Sequence, residues 1–234
     1  MSARTLQLLL AIGALLVLGV PASAQQVAYA ASALSELDSV TQAAVVRELG
    51  RARTRGLPVQ PLVAKVREGQ IKRAAPERIR HAVGALATRL DSARSALGMA
   101  SNDAELVAGA DAIAAGVDQA GLRAVRSASG ARDVSAPLGA LAQLVASGVP
   151  LRRATQMIVE LVKRDAGPRE ILAFRIAVES DVGAGVPAEE SALFRLRAIE
   201  SGAAGGATTL STSVGDPKTI TTSPGDARRP RRKP

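Results

Sequence analysis

The sequence predicts an all-α protein built of degenerate helical-hairpin repeats, about eight to nine short helices in a right-angle or solenoid-like stack with a disordered C-terminal tail. One observation is an internal frame: residues 56–79 and 148–171 align without gaps, each opening Gly-aliphatic-Pro and closing Ala-x-Pro-x-x-Ile. They share Gly56/Gly148, Pro58/Pro150, Glu68/Glu160, Ala74/Ala166, Pro76/Pro168 and Ile79/Ile171. A second observation is apolar spacing of three and four residues between those punctuation marks, the period of a helix. The third is composition: 47% of residues are hydrophobic, yet the aromatics are only Tyr29, Phe174 and Phe194. Small aliphatic side chains favour closely packed helices over an aromatic core.

The N-terminus has the layout of a secretory signal, with Arg4, an apolar run from Leu6 to Val20, and the small triplet Ala22-Ser23-Ala24. That run is shorter than the roughly 20 residues a membrane span requires, so cleavage before Gln25 and export to the periplasm or medium are expected. The chain contains no Cys, so an oxidising compartment adds no covalent staple and burial must supply the stability. Residues 25–201 form one helical domain by size.

Along that domain, Ala33 to Arg55 is expected as a first helix, apolar at Leu34, Leu37, Val40, Ala44 and Val45. Gly56 ends it, and Leu57-Pro58 with Pro61 starts the next, because proline in a first helical turn removes an N–H that has no partner there anyway. That helix turns Leu62, Val63 and Val66 inward. Pro76-Glu77 opens a longer one whose seam is Ile79, Val83, Leu86, Leu90, Ala93 and Leu97. Gly98 to Asn102 is a break, and Asp103 suits the positive end of the helix that follows.

A weaker copy of the frame runs from Gly116-Val117-Asp118 to Ala136-Pro137 and restarts at Leu138, Leu141, Leu144 and Val145. The Gly148 copy places Leu151, Ala154, Ile158, Leu161 and Val162 on one face, and Ile171 and Leu172 begin its partner. Gly185-Val186-Pro187 starts a last helix to about Ser201. Residues 202–234 lose apolar periodicity and end in Arg228, Arg229, Arg231, Arg232 and Lys233, a composition that cannot offset the entropy of ordering. The general layout is TPR-like or HEAT-like, although no consensus position of either array is matched.

No reaction centre emerges. Gly183 to Ala188 fits GxGxxA, but that fingerprint binds a dinucleotide only between a strand and a helix, and the preceding residues are helical. His81 is the sole imidazole, too few for a zinc site of usual composition, and among Arg78, Arg80 and Arg89 it is expected to be solvated. Glu189 and Glu190 are adjacent on a helix and so diverge, as capping acids do. No catalytic residue, metal or cofactor is expected.

Charge is the feature with functional content. Residues 47–94 hold 12 Lys and Arg against 4 acidic residues, a net +8, whereas residues 95–204 hold 11 against 13, a net −2. Arg51, Arg53, Arg55, Lys65, Arg67, Lys72, Arg73, Arg78 and Arg80, with the tail cations, are candidate anion contacts. Nucleic acid is disfavoured because no stacking aromatics interleave these cations. The expected partner is an envelope protein, with an anionic polymer or peripheral membrane surface as the alternative.

Overall fold

The computed structural model describes residues 32–201; the expected signal segment, residues 25–31 and the basic tail lie outside the described residues. Within them the chain is helical, without strands. After a helical turn at residues 32–35 come α1 (Ser39–Thr54), α2 (Gln60–Ile71), α3 (Pro76–Leu97), α4 (Asp103–Ala114), α5 (Gln119–Ser129), α6 (Ser135–Ala146), α7 (Leu151–Lys163), α8 (Pro168–Gly183) and α9 (Ala188–Glu200).

The expected first helix is broken. Asp38 accepts hydrogen bonds from Val40 N at 3.1 Å and Thr41 N at 3.0 Å, a side-chain cap that stops one helix and starts another. Leu34, Leu37 and Val45 face the core as expected. Val40, expected inside, is 66% exposed, and α1 buries Thr41, Val45, Leu49 and Ala52. The seam on α3 lies as its spacing predicts, with Ile79, Val83, Leu86, Leu90, Ala93 and Leu97 all buried.

The Gly-aliphatic pairs are helix stops of one geometry. At Gly56, Gly116, Gly148 and Gly185 the chain enters the left-handed region, with φ +65° to +101°. The next residue's N–H reaches back to a carbonyl five positions earlier: Leu57 to Ala52, Val117 to Ala112, Val149 to Leu144 and Val186 to Asp181, at 2.9–3.0 Å. This is the Schellman closure, and its apolar residue is buried in all four. The Ala-x-Pro ends of the frame use the same closure without glycine. Arg73 (φ 50°) and Asp165 (φ 59°) take the left-handed position, while Ala74 N bonds Gly69 O and Ala166 N bonds Leu161 O. The weaker copy departs here: after Gly130 the chain runs through Ala131–Val134, and α6 opens at Ser135 instead of at Pro137.

Packing follows chain order in steps of two. α1 lies on α3, α3 on α5, α5 on α7 and α7 on α9, while α4 lies on α6 and α6 on α8. Links between the two rows come from α2 on α3, α3 on α4, α5 on α6, α6 on α7 and α8 on α9. One continuous cluster from Ala33 to Leu196 fills the space between them.

Candidate functional site

The nine sequence-predicted cations of the described region lie on α1, α2, α3 and the turns that follow α1 and α2. Three of them collect at the groove between α1 and α3. Arg51 lines both of its compartments, Arg55 the larger, of about 560 Å³, and Arg80 the smaller, of about 220 Å³, with Arg47 beside them. Arg47 and Arg51 project together because they are four residues apart on α1, and Arg55 follows at its C-terminal cap. Glu48 and Asp91 oppose them, and Thr54 and Thr88 add hydroxyl groups.

Most of these cations already have a carboxylate. Arg51 pairs with Glu48 at 3.3 Å, Arg55 with Asp91 at 2.9 Å, and Arg80 with Glu77 at 3.0 Å while also donating to Thr41 Oγ1 at 2.6 Å. Away from the groove, Arg67 reaches Glu36 at 3.4 Å, and Lys65 and Lys72 share Glu68 at 2.5 and 2.6 Å. Hydrogen bonds from those two ammonium groups, Lys65 first, hold the Glu68 carboxyl at about 2. Arg53, Arg73 and Arg78 are exposed. Arg228, Arg229, Arg231, Arg232 and Lys233 lie outside the described residues. The basic segment is therefore a surface of mostly paired side chains.

Sequence patterning did not find the buried ion pairs. Glu105 of α4, 4% exposed, accepts from Arg126 of α5, from Val134 N at 3.1 Å and from Asn102 N at 3.0 Å, joining two helix starts to one helix end. Burial pushes its carboxyl up, but the hydrogen bonds from Arg126, Asn102 and Val134 outweigh it and leave the group below its ordinary value. Asp181 of α8 takes two hydrogen bonds from Arg195 of α9, at 2.8 and 2.6 Å, and one from Ser191 at 2.7 Å. Arg195, opposed by burial, holds it below the ordinary carboxylate range. The Asn-x-x-Glu capping box at Asn102 was a readable signal. A pair 14 residues apart across a turn has no sequence signature.

Other arginines serve the backbone. Arg94 donates to Met99 O and Ser101 O at 2.9 Å each and to Gly56 O at 2.8 Å, tying the break after α3 to the stop after α1. Arg132 donates to Val162 O at 2.9 Å and to Asp165 at 2.7 Å. His81 is exposed, Glu189 is paired with Arg153 at 3.3 Å, and Glu190 faces solvent. Gly183 ends α8 and Gly185 belongs to the following stop, so the GxGxxA match follows a helix. Among the described residues no group of His, Cys, Asp and Glu could hold a metal ion, and no helix is long and apolar enough to cross a membrane. Compared with known proteins, the chain matches no family model, no curated sequence and no solved structure.

Proposed function

We propose that this is an exported, non-catalytic protein of degenerate helical-hairpin repeats that serves as an interaction or scaffolding module of the cell envelope. The observation that carries the reading is the recurring stop: one closure geometry at Gly56, Gly116, Gly148 and Gly185, repeated at Arg73 and Asp165, each 17 residues after the Gly of its frame. Helices punctuated alike and packed in steps of two generate extended outer surfaces, and such surfaces bind partners rather than enclose substrates. Export rests on the N-terminal signal pattern. The disposition of charge supports a non-catalytic role, because the most buried carboxylates, Glu105 and Asp181, are held ionised between helices by arginines.

A second reading, binding of an anionic envelope polymer or membrane surface, is favoured by one observation: Arg47, Arg51 and Arg80 share a compartment of the α1–α3 groove with Glu48 as its only carboxylate. Extract of cell envelopes passed over the mature protein at low and at moderate salt separates the two. Retention of a single protein at moderate salt is expected. Release of everything bound would favour the electrostatic reading, since exposed charges are screened over about 8 Å at physiological ionic strength.

A further inference from the structure

The even-numbered helices stack α4 on α6 on α8, but α2 and α4 barely meet. The interruption leaves an open cleft of about 530 Å³ whose walls are mostly small and apolar, with Pro61 and Ala64 of α2, Ala104, Val107 and Ala108 of α4, Gly139 of α6 beyond, and Gln60 at one edge. A side-chain atom added at Gly139 would meet nothing within 4 Å. The rim carries Asp103 and Asp111, both exposed and neither in an ion pair among the described residues. Eight residues of α4 separate them, about 12 Å along the axis at 1.5 Å per residue. The carboxylates belong to the half of the chain, residues 95–204, in which acidic residues outnumber basic ones by 13 to 11.

We propose that this cleft receives an amphipathic, basic helix of a partner protein, which lies between α2 and α4 where those helices leave a gap. Small residues on α2, α4 and α6 admit the larger aliphatic side chains of the incoming helix, as in other helix-in-groove complexes. Asp103 and Asp111 select lysine or arginine two turns apart and reject an acidic helix. A purely basic segment such as 228–233 of this chain supplies the charge without the apolar face, so it is the lesser match. The proposal rests on the interaction-module reading and names the partner's chemistry.

The test uses the mature chain and a fluorescent 18-residue helical peptide with a leucine face and two lysines eight positions apart. A control peptide has glutamate in place of lysine. Fluorescence anisotropy should show binding of the lysine peptide and at least about tenfold weaker binding of the glutamate peptide. Asp111→Asn should weaken binding about fivefold and flatten its salt dependence. Gly139→Leu should weaken it about tenfold without lowering the melting temperature, since the new side chain enters the open cleft. Equal affinity for the two peptides, no binding at all, or undiminished binding by Gly139→Leu would overturn the proposal. So would a gain of more than about tenfold on removing residues 202–234, which would make the chain's own tail the occupant. If an envelope protein is captured equally by the parent and by Gly139→Leu, the cleft fails and the interaction module survives. If the peptide binds as expected and no envelope protein is captured, the cleft survives and the module reading fails.

Discussion

Glu105 and Asp181 tie two buried contacts between helices to pH. Both carboxyls sit below their ordinary values of 4.5 and 3.8, so the folded state binds fewer protons than the unfolded chain in that range. Their stabilisation is complete above those values and is lost as pH falls through the lowered ones. Melting temperature should therefore drop steeply below about pH 4, and the drop should be shallower in the Glu105→Gln, Asp181→Asn double variant. An unchanged acid limb in that variant would assign the effect to other groups. Truncating Glu105 to Ala removes the carboxylate partner of Arg126 and the acceptor of Val134 N and Asn102 N, and denaturant unfolding should report a loss of about 3 kcal/mol. The paired surface cations are different: each exposed bridge contributes roughly 0–1 kcal/mol, so Arg51→Ala should leave stability nearly unchanged.

At the scale of elements, the helix stops separate backbone strain from contact loss. Gly148 sits at φ +95° with open space where an added methyl group would stand, so Gly148→Ala isolates the cost of the left-handed conformation, about 1–2 kcal/mol. Arg73 already bears that cost, and Arg73→Gly should raise stability by about 0.5–1 kcal/mol. Opposite signs for the two variants in the same urea titration are the expected result; equal signs would mean the stops are not strained. Within the seams, Leu90 and Leu161 are fully buried, and each change to Ala should cost about 2–5 kcal/mol. Melting curves matching the parent would contradict the seams.

These elements also mark how far residue patterns reached. Gly56, Gly148 and Gly185 with their prolines were legible because glycine and proline act locally, through φ alone. The α3 seam was legible because one face of a 22-residue helix is buried along its length. Val40 misled because it stands in the first turn after the Asp38 cap, where Thr41 takes the buried position instead. Arg73 and Asp165 were hidden, since neither residue type announces a left-handed turn. The candidate site was legible in sign but not in arrangement: the cation excess of residues 47–94 could be counted, but the partnerships of Arg55 with Asp91 and of Arg80 with Thr41 cross between helices.

For the whole molecule, the proposed repeat stack buries each helix chiefly against near neighbours in the chain, along a cluster that runs from Ala33 to Leu196. Stability in such a stack is approximately a sum of unit and interface contributions, so an end can be removed without unfolding the remainder. A chain spanning residues 25–164, which lacks α8 and α9, tests this directly by circular dichroism during heating. Retained helicity per residue and a cooperative transition at a lower temperature than the parent are expected. A chain without helicity, or one that melts without a transition, would contradict the stack.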